Sequence, residues 1–422
     1  MSYLKLFLSG ILSLSAFAAA SVVGQPSYTA VKVFPYARFE PTNLKRDMRF
    51  VDFNARGDIL TYHTRADSLA VFLYRDGKGI MVRSQDSTFA LTKGFFARLS
   101  DNGLVLADAR QTVAPFEEIG VVYNPVDSTF TLLSNRPQGQ TTCPFWNDAR
   151  ASINALGEVF AELREDIGGL CFRRYGVWPT GQMFPGSVLP PDTLNGYPVV
   201  YIDNELDGID RFNVRHELLL RGRGNGECQS CTNKPHSLPY LFNLDTKTLT
   251  PLPAVDGLWT GSLYNHSTVY GITNTGWAYG SSTATVSGET GTRATVWQNG
   301  SPILVDDAPG TLSSLVWGMS DDGLALVKRQ RAVDSVNEVS IWDGVTSYPL
   351  SDLIVADTFL DGSPVPTFVG GSDIRARMNS HGDILVFDYS EDGTRFAAQN
   401  DTMIILKLNA VMKPLIVNST GD

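Results

Sequence analysis

Asp203, Glu205 and Asp207 alternate ahead of Gly208 in the stretch "DNELDGID". Oxygen ligands at every second position before a turn glycine are how a calcium loop opens. Val214 stands where the twelfth-position acid would close that loop, so any calcium affinity is expected to be weak, with an acidic surface turn as the competing reading. No other cofactor is expected. The sequence has four cysteines, and Cys228-x-x-Cys231 followed by His236 has the look of half a zinc site. No second pair completes four ligands, and no βαβ pattern gives it a redox context. A small disulfide between Cys228 and Cys231 stapling a loop tip is the simpler reading in an exported chain, which leaves Cys143 and Cys171 as the remaining pair.

Acid–base and nucleophilic chemistry finds little support. The five histidines, His63, His216, His236, His266 and His381, are scattered along the chain. Isolated imidazoles of this kind are more often satisfied surface groups than general bases. No nucleophile elbow, phosphate-binding loop or dinucleotide glycine pattern is present. Carboxylates are plentiful, but "SDNG" and "SDDG" put many of them in turns, where they have structural work.

The elements that must position any site come from a repeat. Seven segments share one pattern: "FNARGDIL" from Phe53, "LSDNGLVL" from Leu99, "INALGEVF" from Ile153, "FNVRHELL" from Phe212, "ITNTGWAY" from Ile272, "MSDDGLAL" from Met319 and "MNSHGDIL" from Met378. The second residue is always short and polar, able to accept a backbone N–H and start a tight turn. Six copies place Gly three residues further on, where a left-handed backbone costs only glycine little. His216 replaces that Gly in the fourth copy. A second landmark follows each turn: an apolar run ending in Tyr74, Tyr123, Trp178, Phe242, Trp297, Trp342 or, in the seventh, Leu406. Strand, turn, strand, strand and a further short strand, at a period of roughly 50–60 residues, is the signature of a propeller. The expectation is one all-β domain over 21–422, a seven-bladed β-propeller of four-stranded antiparallel blades. "PSYTAVKVF" near the N-terminus is a spare strand suited to closing the ring, with "KPLIV" near the C-terminus as the competitor.

Export is read from the first twenty residues, "MSYLKLFLSGILSLSAFAAA", which carry one Lys, an apolar run and an Ala18-x-Ala20 cleavage site. No later segment is apolar enough to span a bilayer as a helix. The formal net charge of −10 argues against nucleic acid and anionic membrane surfaces as partners. A monomer in the periplasm or outside the cell is expected.

The blocks "ITNTGWAYGSS…RATVWQNGSPILVDD" and "INALGEVF" resemble the HAF-repeat family of exported bacterial proteins. That family's repeat runs Ile-Asn-x-x-Gly-x-Val, then a small residue before an apolar-Trp run, an Asn-Gly turn and a Leu-rich strand. The fourth copy departs at His216, and the seventh lacks the aromatic. The resemblance implies an exported β-propeller-like fold and supplies no catalytic residues.

Arginines recur at the strand starts. Two residues before each turn's polar residue stand Arg98, Arg211 and Arg377, and four before it stand Arg150 and Arg375. With strand period two, both positions face one side. Around a channel these guanidinium groups would make an anion-binding mouth. The alternative is that each pairs with an acid of the neighbouring blade, Asp52 and Asp210 being placed to do so. The function expected is non-catalytic binding of a small molecule, glycan or protein, anionic if the arginines are free. The alternatives are a propeller hydrolase or lyase acting on an extracellular polymer such as a polysaccharide, and a purely structural role.

Overall fold

The computed structural model describes residues 25–35, 48–65, 68–75, 78–83, 89–91, 97–112, 118–133, 147–167, 170–182, 186–188, 193–194, 197–198, 211–221, 239–257, 267–355, 358–359, 374–388 and 402–409. All seven sequence copies form the expected turn. The residue three beyond the short polar one donates its N–H back across it, as in Gly57 N to Asn54 O at 3.0 Å and His216 N to Asn213 O at 3.1 Å. The six glycines at this place have φ between 81° and 91°, and His216 has φ 56°. A non-glycine residue there pays about 1–2 kcal/mol of backbone strain, so His216 must gain something in return.

The aromatic landmarks share one register. Each lies opposite the residue six beyond the start of its turn motif: Ile59↔Tyr74, Val105↔Tyr123, Val159↔Trp178, Leu218↔Phe242, Ala278↔Trp297, Ala325↔Trp342 and Ile384↔Leu406. They are there to fill space between neighbouring copies. Seven apolar clusters among the described residues each join two consecutive copies, and the last joins Leu385 and Ile405 to Phe53 and Ile59. Full burial of Phe242 contributes about 2–3 kcal/mol. Trp297 is also fully buried, and its indole N–H is satisfied by Pro253 O at 2.6 Å, in the preceding unit.

The fold is an all-β propeller arrangement, but of five blades and not the seven expected. Among the described residues five sheets have four or more strands, one of them eight, beside a three-stranded sheet and a two-stranded ribbon. The departures have local causes. A single parallel bridge, Thr292↔Ser313, fuses two successive meanders into the eight-stranded sheet. Among the described residues, the fourth copy has an isolated bridge, Phe212↔Leu218, where the other copies have a first strand. The short strand Phe89–Leu91 adds a fifth member to another sheet. The copies survive as seven turns and seven apolar interfaces, with strand number varying from blade to blade.

Closure comes from the N-terminal side. The strand Tyr28–Pro35 pairs antiparallel with Thr402–Leu408, from Tyr28↔Leu408 to Pro35↔Thr402. It thereby completes the sheet that also holds Ile374–Met378 and Ile384–Asp388. Tyr28 is fully buried, and burial together with the charge of Asp383 pushes its phenol pKa up. "KPLIV" lies outside the described residues.

Candidate functional site

The turns converge on the ring axis and hold one another. The side-chain oxygen of each short polar residue accepts N–H groups of its own turn, as Asn213 Oδ1 does from Arg215 and Glu217, both at 3.0 Å. An asparagine then has an amide to spare, and it reaches the next copy. Asn54 Nδ2 donates to Ser100 O at 2.9 Å, Asn154 to Asn213 O at 3.4 Å, Asn213 to Thr273 O at 2.9 Å and Asn379 to Asn54 O at 2.8 Å. Serine and threonine cannot reach so far, and other groups make those links. Asn102 Nδ2 donates to Leu156 O at 2.8 Å, Asn274 N to Asp321 Oδ1 at 2.8 Å and Asp321 N to Ser380 O at 2.8 Å. The seven links close a circle.

The sequence carries a signal for this arrangement. Four residues after Asn54, Asn154, Asn213 and Asn379 stand Asp58, Glu158, Glu217 and Asp383, while Leu104, Trp277 and Leu324 follow Ser100, Thr273 and Ser320. The acid takes the amide's second hydrogen in the first three cases, at 3.1, 2.8 and 2.8 Å. A hydroxyl has no second hydrogen to place, so an apolar residue serves in its copies.

Asp52 ties three copies together. Its carboxylate is 3% exposed, accepts Leu99 N at 2.8 Å, and pairs with Arg377 Nη2 at 3.1 Å. Arg377 thereby links the seventh copy to the first. Arg98 donates to Ala97 O at 2.8 Å, and Arg211 is buried. Arg150 and Arg375 lie in the strands Asn147–Ile153 and Ile374–Met378, and their side chains are outside the described set. The period-two alternation assumed for them fails in part. A register shift between Asn147 and Ser152 spans Arg150, whereas pairing runs unbroken past Arg375 and Arg377. A bulge inserts one residue and reverses the facing beyond it. Asp203, Glu205, Asp207, Cys143, Cys228 and Cys231 lie outside the described residues, and Cys171 is in the strand Leu170–Trp178.

The cavity inside the circle of turns measures only about 60 Å³ and is lined by groups already engaged, among them Asp101 and Asp321. That holds a few waters. A much larger recess, about 780 Å³, lies beyond the outer strand Ser301–Leu304, against the face formed by Ala325–Arg331 and Asn337–Trp342. Its walls include Val305, Val327 and Trp342 beside Asp306, Arg329 and Glu338. Arg329 is committed to Glu338 through Nε at 3.0 Å and Nη2.

His216 is the one histidine with a built environment among the described residues. Its Nε2 lies 3.2 Å from Glu158 of the preceding copy, its Nδ1 3.1 Å from Asp245, and its ring stacks on Phe212. Partial burial pulls the imidazole pKa down, but the hydrogen bonds and charges of Asp245 and Glu158 outweigh it, and the net shift is upward.

No family model and no curated protein matches the chain. Solved structures do. A prolyl endopeptidase aligns at TM-score 0.45 and 13% identity over 88% of this chain and 52% of its own, so the present chain spans about half of that protein. An oligogalacturonate lyase from Vibrio parahaemolyticus aligns at TM-score 0.47 and 9% identity, over 90% of this chain and 97% of its own. An ulvan lyase bound to -[GlcA(1-4)Rha3S]- aligns at 0.40 and 12%, over 87% and 97%. Likenesses this distant assign no activity.

Two outcomes follow from the geometry. Arg377→Gln removes a charged partner of the buried Asp52, a loss of about 1.5–3 kcal/mol in urea unfolding, while sulfate binding by calorimetry stays unchanged. Weakened sulfate binding at near-normal stability would restore the anion-mouth reading. For His216, the folded pKa is raised, so its ion-pair stabilisation is fully present below the unfolded pKa and is lost as pH rises through the folded one. His216→Gly removes both the strain and the pair. It should therefore be stabilising by about 1 kcal/mol near pH 8.5 and lose that advantage near pH 5.5. A pH-independent difference would show that the carboxylates do not compensate the strain.

Proposed function

We propose that this chain is an exported, non-catalytic binding protein of a single propeller domain, 21–422, taking its ligand in the recess of about 780 Å³ and not through the ring axis. The contrast between the two cavities carries the reading. Pockets for small ligands commonly run to about 300–1,000 Å³, a range that includes the outer recess and excludes the axial one of about 60 Å³. The axial groups are also engaged in holding neighbouring turns, so a ligand there would have to break structural bonds. Export rests on the leader-like first twenty residues, and membership of the HAF-repeat family on the turn and Trp blocks. A weak calcium site at Asp203, Glu205 and Asp207 rests on spacing alone.

A polymer-degrading hydrolase or lyase is the second reading, favoured by one feature. His216 is a partly exposed imidazole held between two carboxylates, with its pKa raised. Such a group could exchange a proton with a substrate. Against it, Glu158 is also bonded to Asn154 and belongs to the turn scaffold.

A glycan and peptide array probed with the mature chain, Ser347→Trp and Arg98→Gln separates these readings. Ser347 lines the recess and is exposed. Binding should be lost in Ser347→Trp and kept in Arg98→Gln, with no new chain ends released from any polysaccharide. Turnover that disappears in His216→Gln would replace the binding reading with the enzymatic one.

A further inference from the structure

The outermost strand of a propeller sheet has one edge of backbone N–H and C=O groups that its own sheet does not bond. Such an edge can receive another strand. In the last four copies that edge carries a block. The fourth, fifth and sixth copies end in the strands Leu249–Pro251, Ser301–Leu304 and Ser347–Pro349. Bonds from Leu252 N to Pro239 O, Val305 N to Ala294 O and Asp343 N to Thr346 O, at 3.0, 3.0 and 3.1 Å, fix which residues bond inward. By alternation, Pro251, Pro302 and Pro349 stand at outward places. A ring without N–H there spares the sheet and denies a newcomer its donor. In the seventh copy the closing strand Tyr28–Pro35 has Tyr28 O already accepting Val355 N, at 3.0 Å.

The first copy has neither device. Its outer strand Lys78–Val82 pairs with Ser68–Arg75, from Arg75↔Lys78 to Val71↔Val82, and contains no proline. The pair that closes a two-residue hairpin is bonded through both backbones. Arg75↔Lys78 is such a pair, so Ile80 and Val82 also bond inward while Gly79 and Met81 turn their N–H and C=O outward. Gly79 is exposed, and Met81 is 45% exposed. Gly79 lies opposite Tyr74 and Met81 opposite Phe72, and the two rings are 6.4 Å apart, so an apolar strip runs out to the edge. Ile80 and Val82 face the other way, into the core shared with the second copy. Lys78 and Arg83, at the two ends, are exposed, and neither side chain has an ion pair or hydrogen bond among the described residues.

We propose that the strand Lys78–Val82 is a docking edge for an extended acidic segment of another protein, which adds to the sheet as a further strand. Main-chain bonds to Gly79 and Met81 supply the affinity of such an addition, and side chains on alternate residues supply the specificity. An apolar residue of the incoming strand covers Gly79 and the ring of Tyr74, beside Met81. Carboxylates toward its ends meet Lys78 and Arg83. The site is independent of the outer recess, which belongs to other copies. Charge selects the occupant. The chain carries a formal net charge of −10, so an unpaired cation at each end of an open edge is a local exception. Two copies of this chain pairing here would crowd Lys78 and Arg83 of both, and like charges across a strand pair are destabilising. A neutral strand would gain the backbone bonds and leave both cations unanswered.

The test is fluorescence anisotropy of the mature chain with a labelled peptide in which valine and threonine alternate between terminal pairs of aspartate. One control peptide has lysine for each aspartate, and another is the acidic peptide N-methylated at every valine and threonine. Saturable binding of the acidic peptide is expected, weakened by salt and lost in the methylated form. The lysine peptide should bind about tenfold more weakly or worse. Met81→Pro gives the first copy the block that later copies have. It should lower affinity about tenfold or more at a near-normal melting temperature. Lys78→Glu combined with Arg83→Glu should turn the preference toward the lysine peptide, which decides the matter even if the proline variant does not fold. Ser347→Trp should bind the peptide as wild type does, whatever becomes of the recess. The proposal is overturned if the acidic peptide does not bind, if the methylated peptide binds equally, or if charge reversal leaves the preference unchanged. Loss of peptide binding in Ser347→Trp would place the peptide in the recess and also overturn it. Dimerisation in sedimentation velocity that Met81→Pro abolishes would give the edge to a second copy in place of an acidic segment.

Discussion

A buried asparagine amide has to find two acceptors. Asn213 is 1% exposed, so water cannot supply them, and an unsatisfied buried polar group costs about 1–3 kcal/mol. Its oxygen is held by its own turn, which fixes where the nitrogen points. One hydrogen goes to Glu217 within the copy and the other to Thr273 O in the next. The spacing between consecutive turns is thus set by a bond length. Repeated around the circle, with Asn102, Asp321 and backbone groups substituting where the turn residue is serine or threonine, the same requirement draws all seven turns to the axis. Apolar clusters between copies supply most of the stabilisation, but contact among oily side chains has little directional preference. The hydrogen-bonded circle supplies the direction.

The chemistry of the site follows from this. Turns packed closely enough to bond one another leave about 60 Å³ at the axis, lined by committed groups. Asp52 and Arg377, two of the charges lining it, join the seventh copy to the first and second. A recess of useful size lies instead on the outer side, where the outer strand Ser301–Leu304 ends and Asp306 begins the crossing to the next strand. There the same physics is incomplete: the carboxylate is buried, but one oxygen has no donor.

The turns and the aromatic register were legible because both depend on local chemistry. A short acceptor and a glycine three residues apart specify a backbone shape, and a buried aromatic at constant register shows as an apolar run. Blade number and strand count were not legible, since a bridge such as Thr292↔Ser313 joins sheets through backbone groups that any residue carries. The facing of Arg150 was not legible because a register shift such as that between Asn147 and Ser152 leaves no mark in composition. The burial of Asp306 could not be seen in "ILVDDAPG", where it reads as one more acid in a loop. The acid four residues beyond each asparagine was visible and unread. It gains meaning only once the amide's second hydrogen is counted.

That pairing offers the most direct test of the circle. Asn213→Ser, Glu217→Leu and the double variant can be compared by urea unfolding, the double variant converting an asparagine–acid copy into the serine–leucine type found at Ser100 and Ser320. If the amide requires its acid, each single change strands a partner, and the double variant is more stable than the sum of the singles by about 1 kcal/mol or more. Additive losses would mean that the acid and the amide act independently, and that the circle of turns is a consequence of the fold and not its constraint.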